Sequence, residues 1–594
     1  MKSFFTLIST TILVFLLAFP GFVMCVKAQD VNIKVITTSD LHAAFFPWDF
    51  TRNTPVQGSL AHVKAYTDQQ RAVDGQQVIL LDNADLIQGQ PTSYYFNFVA
   101  PREPHFIAEV MNYTGFDAAS VGNHDVEMGH EVFNQLNREF DFPWLAANIL
   151  HVRTGRPYFK PYTIIEREGV KVAVIGLVTP SVPNWLPRKL WEGLEFVSMY
   201  SAASYWMNHI QEKEKPDAVI GLFHSGKGPN IDYQGDEIYL ENAALYVGRY
   251  VPGFDVIFTA HDHRERNETF VNAQNEEVLM LGGRPYGNSV AVADLHFSRN
   301  SNNEFVLQRK EASLVSMAGY EPCPAFMQKF EDDMQRVFDF VDKPLGVLEN
   351  PMSTRDSYFG NSSFTDFIHF LQMQLSDADV SFAAPLSFDA TLAADTLFMR
   401  DMFQLYPFEN YLYVMELTGR EIIDFLEYSY GLWLNTMEDA SDPLLLFRMD
   451  EQGNPITDGR GRARFQHAFF NFDSAMGLDY TVDVSKPAGS RVTVKSLAGG
   501  KTFDKEQKYR VAINSYRGSG GGGHLTEGAG IAHELLESRI QWVSDHDLRS
   551  HIAAYIESRR QFAPQPAGNW KIIPEAWVED AAKRDRNLLF GAQE

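Results

Sequence analysis

The sequence predicts an α/β protein built as two domains joined by a helix. Three observations carry that reading. Six short apolar runs between Val31 and about Phe297 each end in a polar knot: IKVITTSD, QVILLDNAD, FDAASVGN, VAVIGLVTP, DAVIGLFHS and DVIFTAHD. Helix-like stretches such as HFIAEVMNYT and EVFNQLNREF lie between them, the alternation expected of layered α/β domains. The chain has 594 residues, too many for one compact core, and 45% hydrophobic with 21% charged residues is the composition of a folded globular protein.

Taken in order, residues 1–28 read as a secretory signal peptide: Lys2, an apolar run from Phe4 to Phe19, a Pro20-Gly21 break, and Val26-Lys27-Ala28 before the cleavage point. The apolar run is short for a membrane span, so no transmembrane segment is expected after cleavage. Cleavage leaves Cys323 as the single thiol and no intramolecular disulfide. Export without disulfides points to the periplasm or cell surface of a bacterium. Residues 29–317 form the first α/β domain, with every polar knot at a strand's C-terminal end, where open α/β sheets collect ligands. Residues 318–342 read as a linker helix, with Phe326, Phe330, Met334, Val337 and Phe340 at helical spacing. A second α/β unit spans 343–575. Its helices are expected in SSFTDFIHFLQMQL and GREIIDFLEYSYGLW, its strands in DVSFAAPL, YLYVMELT and YRVAINSY. Residues 576–594 are expected to be a polar, peripheral tail. The net charge of −25 argues against a nucleic acid polymer as partner. A small anionic substrate is compatible with it when a cation waits in the site. Oligomeric state is not legible.

The knots carry chemistry. Asp40 and His42 alternate at the first strand end, Asp85 closes the second, Asn123 and His124 the third, His224 the fifth, and His261 and His263 alternate in the sixth. Carboxylate, imidazole and amide oxygen suit Mn²⁺, Zn²⁺, Co²⁺ or Fe²⁺, and a set without thiolates is not a structural zinc knot. So many ligands suit two ions about 3.5–4 Å apart sharing a bridging carboxylate, an arrangement that neutralises phosphate oxygens and makes a nucleophilic water available near neutral pH. The isolated His62, His105, His151, His209 and His467 are expected to be ordinary structural histidines.

TTSDLHAAF, LLDNADLIQGQ, SVGNHDVEMG, GLFHSG and TAHDH resemble the five ordered blocks of the calcineurin-like metallophosphoesterase domain. The version is that of the secreted bacterial 5′-nucleotidase and 2′,3′-cyclic-nucleotide phosphodiesterase family. The resemblance implies a four-layer α/β/β/α sandwich. It places Asp40, His42, Asp85 and His263 around one ion and Asp85, Asn123, His224 and His261 around the other, Asp85 bridging. It makes His124 the residue that faces the substrate phosphate. Departures are Ala84 and Ala260 for the family's glycines, Asp125 for its Glu, and Glu127 for an Asp three residues after His124, with Glu127 expected to orient His124. Gly122 is expected to permit a tight turn.

FTDFIHFLQ, SFAAPLSFDATL, YPFENYLYVMELTGREI and VAINSYRGSGGGGH resemble the family's nucleotidase C-terminal domain, which holds a base between two aromatic rings. Phe472 and Tyr516 match those rings, and the glycines after Arg517 are expected to let backbone pass close to a ribose or base. The Arg of the family's GGIR-like block is absent, AAPLSF placing Ser387 there, a form closer to the cyclic-phosphodiesterase branch; Arg517 is expected to compensate. The reading that leads is an exported dimetal 5′-nucleotidase. Its alternatives are a 2′,3′-cyclic-nucleotide 2′-phosphodiesterase/3′-nucleotidase, a UDP-sugar hydrolase and, in a different class, a nucleotide-binding protein without turnover. In the family the second domain rotates to carry substrate, which makes the linker helix a candidate hinge.

Overall fold

The computed structural model describes residues 30–591, so the signal segment expected over 1–28 lies outside the described residues. The catalytic half is a sandwich of two six-stranded sheets. In the first, Val31–Ser39, Gln76–Asn83, Ala118–Ser120 and Trp144–Leu145 run parallel, and Ser289–Arg299 and Phe305–Ser316 close one edge antiparallel. In the second, Val170–Val178, Ala218–His224, Val256–Thr259 and Glu277–Gly282 run parallel between antiparallel edges Tyr162–Arg167 and Arg266–Val271.

The period-2 geometry of strands explains why these runs are apolar on both faces. Ile33, Val35, Val172 and Val174 point into the space between the sheets. Their neighbours Ile36, Ala173 and Ile175 point outward into helical layers. Leu60–Arg71, Phe106–Thr114 and Gly129–Glu139 cover the first sheet and Met199–Lys213 and Ala244–Tyr250 the second, giving the expected α/β/β/α order.

The expected linker helix is two helices, Pro324–Lys329 and Glu331–Val341, broken at Phe330 (φ −109°, ψ 20°). Phe326, Phe330, Val337 and Val341 are buried in the core of the catalytic half. The segment is therefore part of that domain's packing rather than a free rod. The second domain is built on a five-stranded sheet in the order Ser474–Met476, Val380–Ala383, Lys508–Asn514, Tyr411–Thr418 and Ile540–Asp547. Helices Ser363–Ser376, Gly419–Trp433 and Leu548–Arg559 pack on it. The expected polar tail is also corrected: Glu575–Phe590 is a helix that buries Ala581 and Leu589, and Asp585 accepts the Leu444 and Leu445 amides at 2.8 Å each.

Candidate active site

The two sheets are stitched together at the C-terminal ends of their strands, and the stitch is Asn83. Its Nδ2 donates to the carbonyls of Phe223 and Phe258 in the second sheet, both at 3.1 Å, and its Oδ1 accepts from Ser120 Oγ at 2.8 Å. Asp125 makes a second clamp. It is fully buried; Oδ1 accepts from the Leu86 and Ile87 amides (2.9 and 3.2 Å) and Oδ2 from those of Gly122 and Asp85 (2.9 and 3.2 Å). The knot after one strand is thereby bolted to the knot after the next. Gly122 is needed for space rather than for a turn: its φ of −110° is open to any residue, but a Cβ there would lie 2.8 Å from the Asp85 nitrogen.

Six of the seven expected ligands fall into two clusters whose donor atoms lie within 4.8 Å of one another: Asp40, His42 and His263 in one, Asp85, His224 and His261 in the other. Asn123 joins the second, its Oδ1 2.9 Å from His261 Nδ1 and 3.1 Å from His224 Nε2. Asp85 lies with the second cluster by distance. Five of the seven, Asp40, His42, Asp85, His261 and His263, hold φ between 45° and 72°, a region side chains avoid unless surroundings enforce it.

Backbone carbonyls set the ring orientations. His42 Nδ1 lies 2.9 Å from the Gln88 oxygen and His224 Nδ1 3.0 Å from the Asn83 oxygen, so each Nε2 is turned inward. His42 Nε2 then faces His263 Nε2 at 3.1 Å beside Asp40, whose buried Oδ2 has no hydrogen-bond partner. Burial pushes the His42 imidazole down to about 3, against the field of Asp85, so it presents a lone pair. Converging lone pairs and an unpartnered buried carboxylate oxygen are a donor set that fits a divalent cation. His224, which burial would lower, is held up to about 9 by Asp85, and the ring would give up that proton on holding a metal ion.

His124 stands at the rim. Its amide donates to Asp85 Oδ1 at 2.9 Å, and its Nδ1 lies 2.5 Å from Glu127 Oε2. Burial would lower its pKa, but Asp85 and Glu127 raise it to about 10. Three residues not singled out in the sequence also touch the clusters. Glu241 Oε1 meets His261 Nε2 at 3.1 Å, Trp185 stacks on His261 with centroids 5.5 Å apart, and Tyr286 (φ 62°) sits 5.5 Å from His42. No local sequence signal marks them, because each reaches the site through tertiary packing. A cavity of about 1270 Å³ is lined by Phe142, Trp144, Tyr205 and neighbours and includes none of the cluster residues.

The second domain corrects two of the three expected substrate contacts. Phe472 is fully buried, parallel to Trp433 at 5.5 Å and perpendicular to Phe465 at 5.2 Å; it is core, not an open platform. Arg517 is buried and committed: Nη2 donates to Asp473 Oδ2 (2.7 Å) and the Phe470 carbonyl (2.9 Å), Nη1 to Asn471 Oδ1 (3.0 Å) and the Gly521 carbonyl (2.7 Å). The Gly-rich loop wraps this guanidinium. Ser387 gives its hydroxyl to the Gln404 carbonyl at 2.8 Å. Tyr516 is half-buried and within electrostatic reach of Glu241 across the domain boundary.

Two clusters of metal-ligating side chains at the strand ends of a four-layer sandwich, with a second α/β domain against them, define a metal-dependent phosphoesterase. The calcineurin-like phosphoesterase model matches residues 33–265 and the 5′-nucleotidase C-terminal domain model residues 344–527. The chain thus carries a calcineurin-like phosphoesterase domain followed by a 5′-nucleotidase C-terminal domain, the pair that matches the bacterial 5′-nucleotidase/2′,3′-cyclic-nucleotide phosphodiesterase family. It is 25% identical to the trifunctional nucleotide phosphoesterase protein YfkN of Bacillus subtilis over 92% of its own length, and spans only 39% of that relative. It is 24% identical to the 2′,3′-cyclic-nucleotide 2′-phosphodiesterase/3′-nucleotidase of Yersinia enterocolitica, covering 92% of this chain and 89% of the relative. The crystal structure of a 5′-nucleotidase precursor from Thermus thermophilus shares the fold, with a TM-score of 0.61 and 20% identity over 92% of this chain and all of that one. Among the described residues, no helix is long and apolar enough to cross a membrane.

Proposed function

We propose that this nucleotide phosphohydrolase prefers 2′,3′-cyclic nucleotides and 3′-nucleotides over 5′-monophosphates. The observation that carries the preference is the commitment of Arg517. This guanidinium was the candidate to compensate in part for the arginine missing near Ser387, and its terminal nitrogens already hold Asp473 and the loop around it. The Ser387 hydroxyl is likewise engaged. The activity printed for the Yersinia relative, which matches nearly end to end, agrees with the preference.

In this reading Asp40, His42 and His263 would hold one divalent ion and Asp85, Asn123, His224 and His261 the other. Such a pair supplies charge neutralisation of the phosphate oxygens and a nucleophilic water at neutral pH. His124, with Nδ1 fixed by Glu127, presents Nε2 to the phosphate and gives its proton to the departing ribose oxygen. Tyr516 forms one face of the base site. Phe470, half-buried and joined through its carbonyl to Arg517, replaces Phe472 as the candidate for the other. Export to the periplasm or cell surface belongs to the same proposal, and mass spectrometry of the secreted chain should find Gln29 as its first residue.

The test is a side-by-side assay of the Mn²⁺-loaded chain on 2′,3′-cyclic AMP, 3′-AMP, 5′-AMP and UDP-glucose. Faster turnover of the first two is expected. Preference for 5′-AMP would overturn the assignment and restore the 5′-nucleotidase reading, and tight nucleotide binding with no turnover would make the chain a binding protein.

A further inference from the structure

The loop after Asp85 faces two ways. At one end lies Asp85 itself; three residues on, the Gln88 carbonyl holds the His42 ring at 2.9 Å. The Gln88 side chain turns to the other domain, where its Nε2 donates to Glu409 Oε2 at 2.7 Å. Glu409 is held from behind by Arg549, whose Nη1 donates to Oε1 at 2.9 Å. Both side chains are almost fully buried, 8% and 0% exposed. Arg549 is itself fixed by the Tyr406 and Pro407 carbonyls at 2.8 and 2.6 Å, and lies over the Phe403 ring at 4.0 Å. The same loop docks again at Tyr94, whose hydroxyl meets Asp547 at 3.0 Å and Ser550 at 2.6 Å.

A carboxylate buried this deeply at a domain boundary is costly unless its partners are exact in geometry, and here both are. We infer that Glu409, contributed by the second domain, is a positioning residue for the metal centre of the first: through Gln88 it fixes the loop that orients His42 and carries Asp85. Ordering of the first cluster and seating of the second domain are then one coupled event. Lys189, which lies over the Tyr411 ring at 3.6 Å, is a further contact across the same boundary.

The inference rests on the dimetal reading of the site, and its test separates the two. Mn²⁺ binding to the metal-stripped full chain is measured by calorimetry, alongside kcat and KM on 2′,3′-cyclic AMP, for wild type, Glu409→Ala, Gln88→Ala and the double variant. Gln88→Ala breaks the same bond without leaving Arg549 unpaired, so it reports even where Glu409→Ala folds poorly. Each single variant is expected to bind Mn²⁺ at least about 10-fold more weakly, with kcat falling more than KM rises. The double variant should lose no more than the worse single, because both cut one link. Unchanged Mn²⁺ affinity in Gln88→Ala, or losses that multiply in the double variant, would overturn the inference. A wild type that binds two Mn²⁺ but turns over no nucleotide would refute the proposed function while leaving the binding comparison decisive for Glu409.

Discussion

Ala84, just before Asp85, has φ 70°, where a Cβ is strained by about 1–2 kcal/mol. The family's glycine at this place avoids that strain, and Ala84 shows the departure to be tolerated rather than harmless. Ala84→Gly should stabilise the catalytic domain by about 1 kcal/mol, less what glycine adds to unfolded-chain entropy. Urea unfolding followed by tryptophan fluorescence would show it, and an unchanged or lower midpoint would contradict it. His369 makes a second case at this scale. It is buried between Ser381 Oγ (2.9 Å) and Ser474 Oγ (3.1 Å), and burial takes its pKa from the ordinary 6.5 down to about 3. The folded pKa is depressed, so below about pH 6.5 the unfolded chain takes the proton first. The stabilisation present above that pH is then lost as pH falls toward 3. At pH 5 the loss is of order 2 kcal/mol. Unfolding curves at pH 7.5 and 5 should show it, and a smaller difference in His369→Gln would assign it to this ring.

At the scale of elements, the close approach of the strand-end loops makes their glycine indispensable. Gly122→Ala would drive a methyl into the Asp85 loop, and a displacement of about 1 Å at reacting groups lowers turnover on the order of 100-fold. Assay and metal content should fall together; full activity would mean that the loop yields freely. The last helix, Glu575–Phe590, gives the other prediction. Ending the chain after Pro574 uncovers Ala581 and Leu589 contacts and the Leu444 and Leu445 amides. The second domain should lose several kcal/mol, because each large buried apolar side chain removed accounts for about 2–5 kcal/mol. A melting temperature equal to that of the full chain would refute this. The helix was not legible because its sequence, EAWVEDAAKRDRNLLF, mixes charged with apolar residues and buries one narrow stripe. The strands were legible for the opposite reason: buried on both faces, they stand out as apolar runs, and their polar C-terminal knots carry the side chains that gather into the two clusters. Aromatic residues gave no such signal. Phe470 and Phe472 are two residues apart in FFNF, and only the packing of Trp433 against Phe472 decides which one is core.

For the whole molecule, the proposed active site draws on two domains. The first supplies both ligand clusters and His124, and the second brings Glu409 to Gln88 and Tyr516 within electrostatic reach of Glu241. The interdomain residues lay beyond sequence reading because their partners are distant in the chain, 321 positions for Gln88 and Glu409, and carry no motif. What motif reading did reach is the dimetal centre, and the most direct measurement addresses it. Metal-stripped chain is titrated with Mn²⁺ while nucleoside release from 3′-AMP is followed, in wild type and in His124→Ala. Turnover should rise from nothing and saturate at two ions per chain, and His124→Ala should bind the same two ions yet turn over at least about 100-fold more slowly. Activity that persists without metal, saturation at a single ion, or an undiminished His124→Ala would contradict the account.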